Sequence, residues 1–218
     1  MKLKRAFTLV ELLVVIAIIA TLLAILMPSL AKARLQARVV VVNTELDNIG
    51  LALEAYGMDN NNKFPPTRAS CNTDAIEYWW SLPQELVKSG YMPGGKNGDV
   101  TYSKVEDKFN PDFTYKYVAV GPKYDYNGGS IGKQLLQITD GFPDKETKTY
   151  KSYNDPKLSP VTWVIFSLGP KFDEQNVGLE CFPTSKQYWY SPKSGSGILT
   201  CVRLKDKIQH IGTFQKNY

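Results

Sequence analysis

The chain has 218 residues, 26 of them basic and 21 acidic, for a formal charge of +5. Setting aside Lys2, Lys4 and Arg5 at the extreme amino terminus leaves 23 against 21, or +2, too slight a balance for nucleic acid to be the main partner. A single histidine, His210, leaves any catalytic triad or histidine-based zinc site hanging on one residue, and neither a Walker loop nor a Cys-x-x-Cys pair is present.

The first predicted element is a long helix over residues 7–56. Residues 7–27 are broken by one charge, Glu11. At about 1.5 Å of rise per residue this run is long enough to cross a hydrocarbon core of about 30 Å. A carboxylate at membrane depth costs roughly 2.5–3.5 kcal/mol, so Glu11 needs a partner or nearby water. Basic residues flank the run on both sides, Lys2, Lys4 and Arg5 before it and Lys32, Arg34 and Arg38 after it, so charge alone leaves orientation undecided. Ala31-Lys32-Ala33 also matches a secretory cleavage site that would release a soluble chain from Arg34. Against that, the apolar run exceeds an ordinary signal core and contains Glu11.

The string Ala6-Phe7-Thr8-Leu9-Val10-Glu11-Leu12-Leu13-Val14-Val15 resembles the prepilin processing site shared by type IV pilins and type II secretion pseudopilins. The resemblance implies that a prepilin peptidase cuts between Ala6 and Phe7 and methylates the new amino terminus. The usual residue before the cut is Gly, and Ala6 stands in its place. It further implies that Glu11 pairs with the terminal amine of a neighbouring subunit, and that Pro28 is the helix-kinking proline found in many pilins. The implied partners are copies of the chain and related pilins in a filament, an inner-membrane assembly platform, and membrane lipid before assembly. The leader then faces the cytoplasm, and a domain on a single-pass inner-membrane anchor lies on the extracytoplasmic side.

Beyond the membrane run, Leu35, Val39, Val42, Leu46, Ile49, Leu53 and Tyr56 recur at spacings of four and three, an apolar stripe that needs a cover. Flanking positions lack the regular opposite charges of a coiled coil, so the chain's own domain is the expected cover. Pro28 removes an N–H and crowds the carbonyl of Ala24, which predicts a bend or local melting there. The stretch from Ala52 to Pro65, through Tyr56-Gly57-Met58-Asp59-Asn60-Asn61-Asn62, is similar to the place where the helix of a type II secretion major pseudopilin ends. Gly57, the Asn run and Pro65-Pro66 are stop signals on physical grounds too. Residues 81–91 read as a short helix with a Ser81–Gln84 capping box, Pro83 in the first turn and Gly90 at the close.

Strands are predicted over 112–120, 161–168 and 198–204, with glycine-containing loops at 124–132 and 171–178. One long helix followed by short strands predicts an α+β, pilin-like fold: a long kinked helix packed on a small antiparallel sheet. The expected divisions are a leader at 1–6, a membrane and polymerisation helix at 7–29, its amphipathic half at 30–57, and an extracytoplasmic domain at 58–218, large enough for one core and no second.

Of the three cysteines, Cys181 and Cys201 would close a loop of about 20 residues, worth on the order of 3 kcal/mol if paired, with Cys71 as the odd thiol. Spacing alone leaves the connectivity open. The run Ser167-Leu168-Gly169-Pro170-Lys171-Phe172-Asp173-Glu174 resembles the Ser-x-Gly-x-Asp loop of major pseudopilins, which holds calcium, and makes Asp173 and Glu174 the candidate ligands. Lys171 intrudes, Tyr190-Ser191-Pro192-Lys193-Ser194-Gly195 supplies no later acidic ligand, and calcium takes six to eight oxygens. Gly128-Gly129-Ser130-Ile131-Gly132 matches G-x-S-x-G, but the turn sequence before it is not the buried strand a nucleophile elbow needs. The expectation is a non-enzymatic structural subunit of a type IV pilus-like or type II secretion pseudopilus filament. The alternative is an anchored or secreted binding domain that never polymerises.

Overall fold

The computed structural model describes residues 8–69, 81–94, 105–111, 113–121, 123–125, 157–171, 189–205 and 209–212. In chain order these form α1 (Leu9–Asp59), β1 (Thr67–Ala69), α2 (Gln84–Lys88), β2 (Lys116–Ala119), β3 (Lys123–Asp125), β4 (Val161–Ser167), β5 (Leu199–Leu204) and β6 (Gln209–Gly212). The chain divides into two compact units, Met1–Arg38 and Val39–Tyr218.

In the first unit α1 opens after Thr8, and every side chain from Thr8 through Arg34 is exposed, its leucines, valines and isoleucines included. By length and composition this helix is able to cross a membrane. Helical structure continues through Pro28 without a break, so the local melting expected there does not occur. One missing N–H costs α1 a single hydrogen bond, and the long helical runs on either side hold the backbone.

In the second unit the predicted stripe is the buried one: Val39, Val42, Leu46, Ile49 and Leu53 are core residues, and Tyr56 is half-buried against them. Their cover comes from Tyr115, Tyr117 and Ala119 around β2, Trp163 and Ile165 of β4, Leu199 and Cys201 of β5, and Leu82, Leu86 and Val87 at α2. Strands β2, β4, β5 and β6 form one antiparallel sheet in that order, with Tyr117 opposite Ile165 and Ile165 opposite Cys201. The period of two in residues 113–119 therefore sends Tyr115, Tyr117 and Ala119 to the face that meets α1. Val118, Val164, Phe166 and Val202 on the opposite face are buried as well, which is why β4 reads as an almost unbroken apolar run. Strand β1 pairs in parallel with β3 as a separate small ribbon.

Two local expectations are corrected. The helix does not stop at Gly57 but continues to Asp59, where Asn61 (φ 55°) and Asn62 (φ 62°) turn left-handed and Asn62 N–H returns to Gly57 O at 2.8 Å. Gly57 is a packing residue: a Cβ there would lie 2.8 Å from the Phe64 ring. Gly57→Leu is therefore expected to cost about 1–3 kcal/mol by overpacking. The double variant Gly57→Leu with Phe64→Ala should recover part of that loss in denaturant melts; equal melting of Gly57→Leu and wild type would remove the clash from the account.

The Ser81–Gln84 box does not form either. Pro83 caps α2 from an extended conformation without a side-chain bond, and Ser81 instead bridges to Lys116. Proline pushes its predecessor out of the helical region, so the helix starts later than the Ser-x-x-Gln spacing suggests. Gly90 (φ +78°) closes the element as expected.

Candidate functional site

Thr8 is the N-cap of α1: its carbonyl accepts the first helical bond, from Leu12 N–H at 3.2 Å. Its backbone N–H and its hydroxyl both donate to Glu11 Oε2 at 2.8 Å, and Glu11 N–H donates to Thr8 Oγ1 at 3.2 Å. This is a reciprocal capping box, Thr-x-x-Glu, which satisfies orphan donors at the helix start and places an acid at its positive end. The spacing is plain in the sequence and was the missed signal: Glu11 shapes the start of the helix as well as carrying a charge. The Glu11 carboxylate is exposed, held in place by Thr8 and open to a cation from outside.

Charged and phenolic groups beside the buried stripe tie α1 to the rest of the second unit. Tyr115 O–H donates to Glu45 Oε2 at 2.5 Å, and Lys108 Nζ reaches Glu45 Oε1 at 3.0 Å. Arg203, 4% exposed, donates to Glu54 Oε1 at 2.5 Å and lies 4.7 Å over the Phe64 ring. Tyr91 O–H donates to Asp59. Burial raises the Tyr115 phenol well above its ordinary value, with the Glu45 bond adding to the shift. Tyr117, fully buried, is raised the same way and donates to Pro65 O at 2.7 Å. Both phenols thus stay neutral donors. A cleft of about 280 Å³ lies beside Glu45, Ile49, Tyr91, Met92 and Val105. Its charged group, Glu45, is already engaged by Tyr115 and Lys108, and the volume falls below the usual range of small-molecule sites.

A third cluster centres on Asp107, which is buried and accepts from Phe109 N–H, Ser167 O–H and Leu168 N–H. Burial pushes its carboxyl above the usual carboxylate value; these donors and the Lys116 ammonium pull it part of the way back.

Of the residues singled out from the sequence, Glu11 and Pro28 lie in α1, at its first turn and within its apolar half. Ala6 and Phe7, the expected cut, lie outside the described residues, as do Asp173 and Glu174. Cys201 is buried in β5. Cys71 and Cys181 lie outside the described residues, and so does the 128–132 glycine motif. His210 falls in β6. Among the described residues no three His, Cys, Asp or Glu side chains gather as a metal-binding group.

Residues 1–27 match the family model described as the prokaryotic N-terminal methylation motif. The chain is 48% identical over 58 residues to the type IV wide pilus major component PilA4 of Thermus thermophilus, a stretch that is 27% of this chain and 44% of that relative's length. The chain thus spans under half of the relative it matches. No solved structure matches it.

Proposed function

On the assignment of the chain to the type IV pilin and pseudopilin superfamily, which its amino-terminal match and its pilin relative support, we propose that it is a filament subunit of pilus or pseudopilus type. The observation that carries this reading is the exposed, apolar first half of α1 with one acid, Glu11, held at the helix start inside the matched motif. Such a surface is stable in lipid, or in a bundle of like helices.

Before assembly the helix anchors the chain in the inner membrane with the domain on the extracytoplasmic side. A prepilin peptidase removes residues 1–6, and an assembly platform draws subunits out of lipid so that their α1 helices pack together. The role is structural, with copies of the chain and related pilins as partners, and it calls for no catalytic residue or cofactor. The Thermus relative is named as a major pilus component, which supports a filament over a lone binding domain.

Processing is tested by intact mass of the chain from native membranes. The expected mature species begins at Phe7 and carries one added methyl. A species beginning at Met1 would contradict processing, and one beginning at Arg34 would make the apolar run a secretory signal.

A further inference from the structure

We infer that the loop after β4, residues 167–171, is locked by protein groups alone, with Asp107 as its anchor, so that its shape does not depend on calcium. Asp107 comes from a segment 60 residues earlier in the chain and is 2% exposed. Its Oδ1 accepts from Ser167 Oγ at 2.7 Å and from Phe109 N–H at 2.9 Å, and its Oδ2 accepts from Leu168 N–H at 3.1 Å. The anchor is itself held, because Asp107 N–H donates to Phe113 O at 2.8 Å and its carbonyl accepts Asn110 N–H at 3.1 Å.

The loop's own oxygens are engaged in the same way. Ser167 Oγ accepts Gly169 N–H at 3.0 Å, and Pro170 O accepts Gly197 N–H at 3.2 Å. Space is closed as well as chemistry. A Cβ on Gly169 (φ +71°) would lie 1.8 Å from Gly197 O, and one on Gly197 (φ +115°) would lie 2.4 Å from the Trp189 carbonyl carbon. Backbones that touch this closely leave no room between them for a cation and its oxygen shell. Lys171, exposed and left-handed at φ 56°, brings a positive charge to the end of the loop.

Calcium needs six to eight oxygens at about 2.3–2.6 Å. The Ser167 hydroxyl, the Asp107 carboxylate and the Pro170 carbonyl instead accept N–H and O–H donors, so these oxygens are already engaged by the chain. A buried carboxylate still needs a compensating charge. Here the Phe109 N–H, Ser167 O–H and Leu168 N–H donors supply most of that compensation, and the Lys116 ammonium on β2 adds a weaker attraction. Residues 167–171 are thus held by groups of the chain itself.

The test is thermal unfolding of the full chain in detergent micelles, followed by tryptophan fluorescence, in millimolar calcium and in EGTA. Wild type is expected to melt at the same temperature in both. Asp107→Ala should lower Tm by roughly 10 °C in both, and Ser167→Ala, which removes two hydrogen bonds and little volume, by a few degrees. A wild-type Tm raised by calcium and restored by EGTA would overturn the inference. So would Ser167→Ala melting with wild type, a readout that survives even if Asp107→Ala fails to fold.

Discussion

Glu11→Ala is expected to leave the domain folded and membrane-held while filament assembly fails. In the proposed assembly each subunit leaves lipid for a bundle of apolar helices, where an unmatched carboxylate costs roughly 2.5–3.5 kcal/mol, about two orders of magnitude in an equilibrium constant. The chemistry that relieves this cost is an ammonium within a few ångströms, which the new amino terminus of a neighbouring copy would supply; in Glu11→Ala that ammonium is the charge left unmatched in the bundle. The capping box sharpens the experiment. Thr8 already donates twice to Glu11 Oε2, so loss of the side chain also costs about 1 kcal/mol of helix-start stability. Glu11→Gln separates the two roles, because an amide oxygen can still accept from Thr8 while the charge is gone. Thr8→Ala does the reverse. Charge pairing predicts that Glu11→Gln fails like Glu11→Ala and that Thr8→Ala assembles with reduced yield. Sheared filament and membrane-retained material are compared for each, alongside the matching assembly machinery. Wild-type filament yield from Glu11→Ala would refute the pairing, and rescue by Glu11→Gln alone would reduce Glu11 to a cap.

Leu46→Lys is expected to destabilise the second unit by on the order of 4–5 kcal/mol, a large share of the roughly 5–15 kcal/mol that holds a typical domain. Leu46 is 0% exposed, in the middle of the buried stripe and in one core cluster with Tyr115, Tyr117, Trp163 and Ile165. Substitution by Lys removes its packing, worth roughly 2–5 kcal/mol as measured by Leu→Ala changes, and adds an ammonium that must stay unpaired, deprotonate or force the helix away. Glu45 is committed to Tyr115 and Lys108 and Glu54 to Arg203, and Asp47, the next residue along, does not share a helix face with position 46. Leu46→Ala should cost about half as much, and Leu51→Lys on the exposed side should cost well under 1 kcal/mol. Guanidinium melts of the full chain in micelles, read by tryptophan fluorescence, order the three variants. Equal midpoints for Leu46→Lys and Leu51→Lys would mean that the stripe does not face the core.

The long helix, its apolar first half and the buried face of its second half were all legible in the sequence. These are short-range properties. A run without charge and a spacing of four and three are written along one element, and a helix maps them onto geometry with no knowledge of the rest of the chain. The strands at 116–119, 161–167 and 199–204 fell inside predicted runs for the same reason, since alternation and β-branched content act residue by residue.

What the linear pattern left undecided needed a second segment to settle it. Gly57 reads as a stop signal until Phe64 is seen lying on it. Ser81 and Gln84 read as a cap until β2 draws Ser81 into a bridge. The apolar run of 161–168 implies burial but not on which sides, and only the packed sheet shows both of its faces covered. Asp107 attracted no notice as one acid in a polar stretch. Its role arises from Ser167 and Leu168, about 60 residues on, which meet it only in the folded chain. The sequence by itself therefore determined the helix, its membrane-ready half and the face that seeks a core. Tertiary structure alone decided which polar groups find partners, because a hydrogen bond or a buried charge depends on atoms that chain order does not bring together.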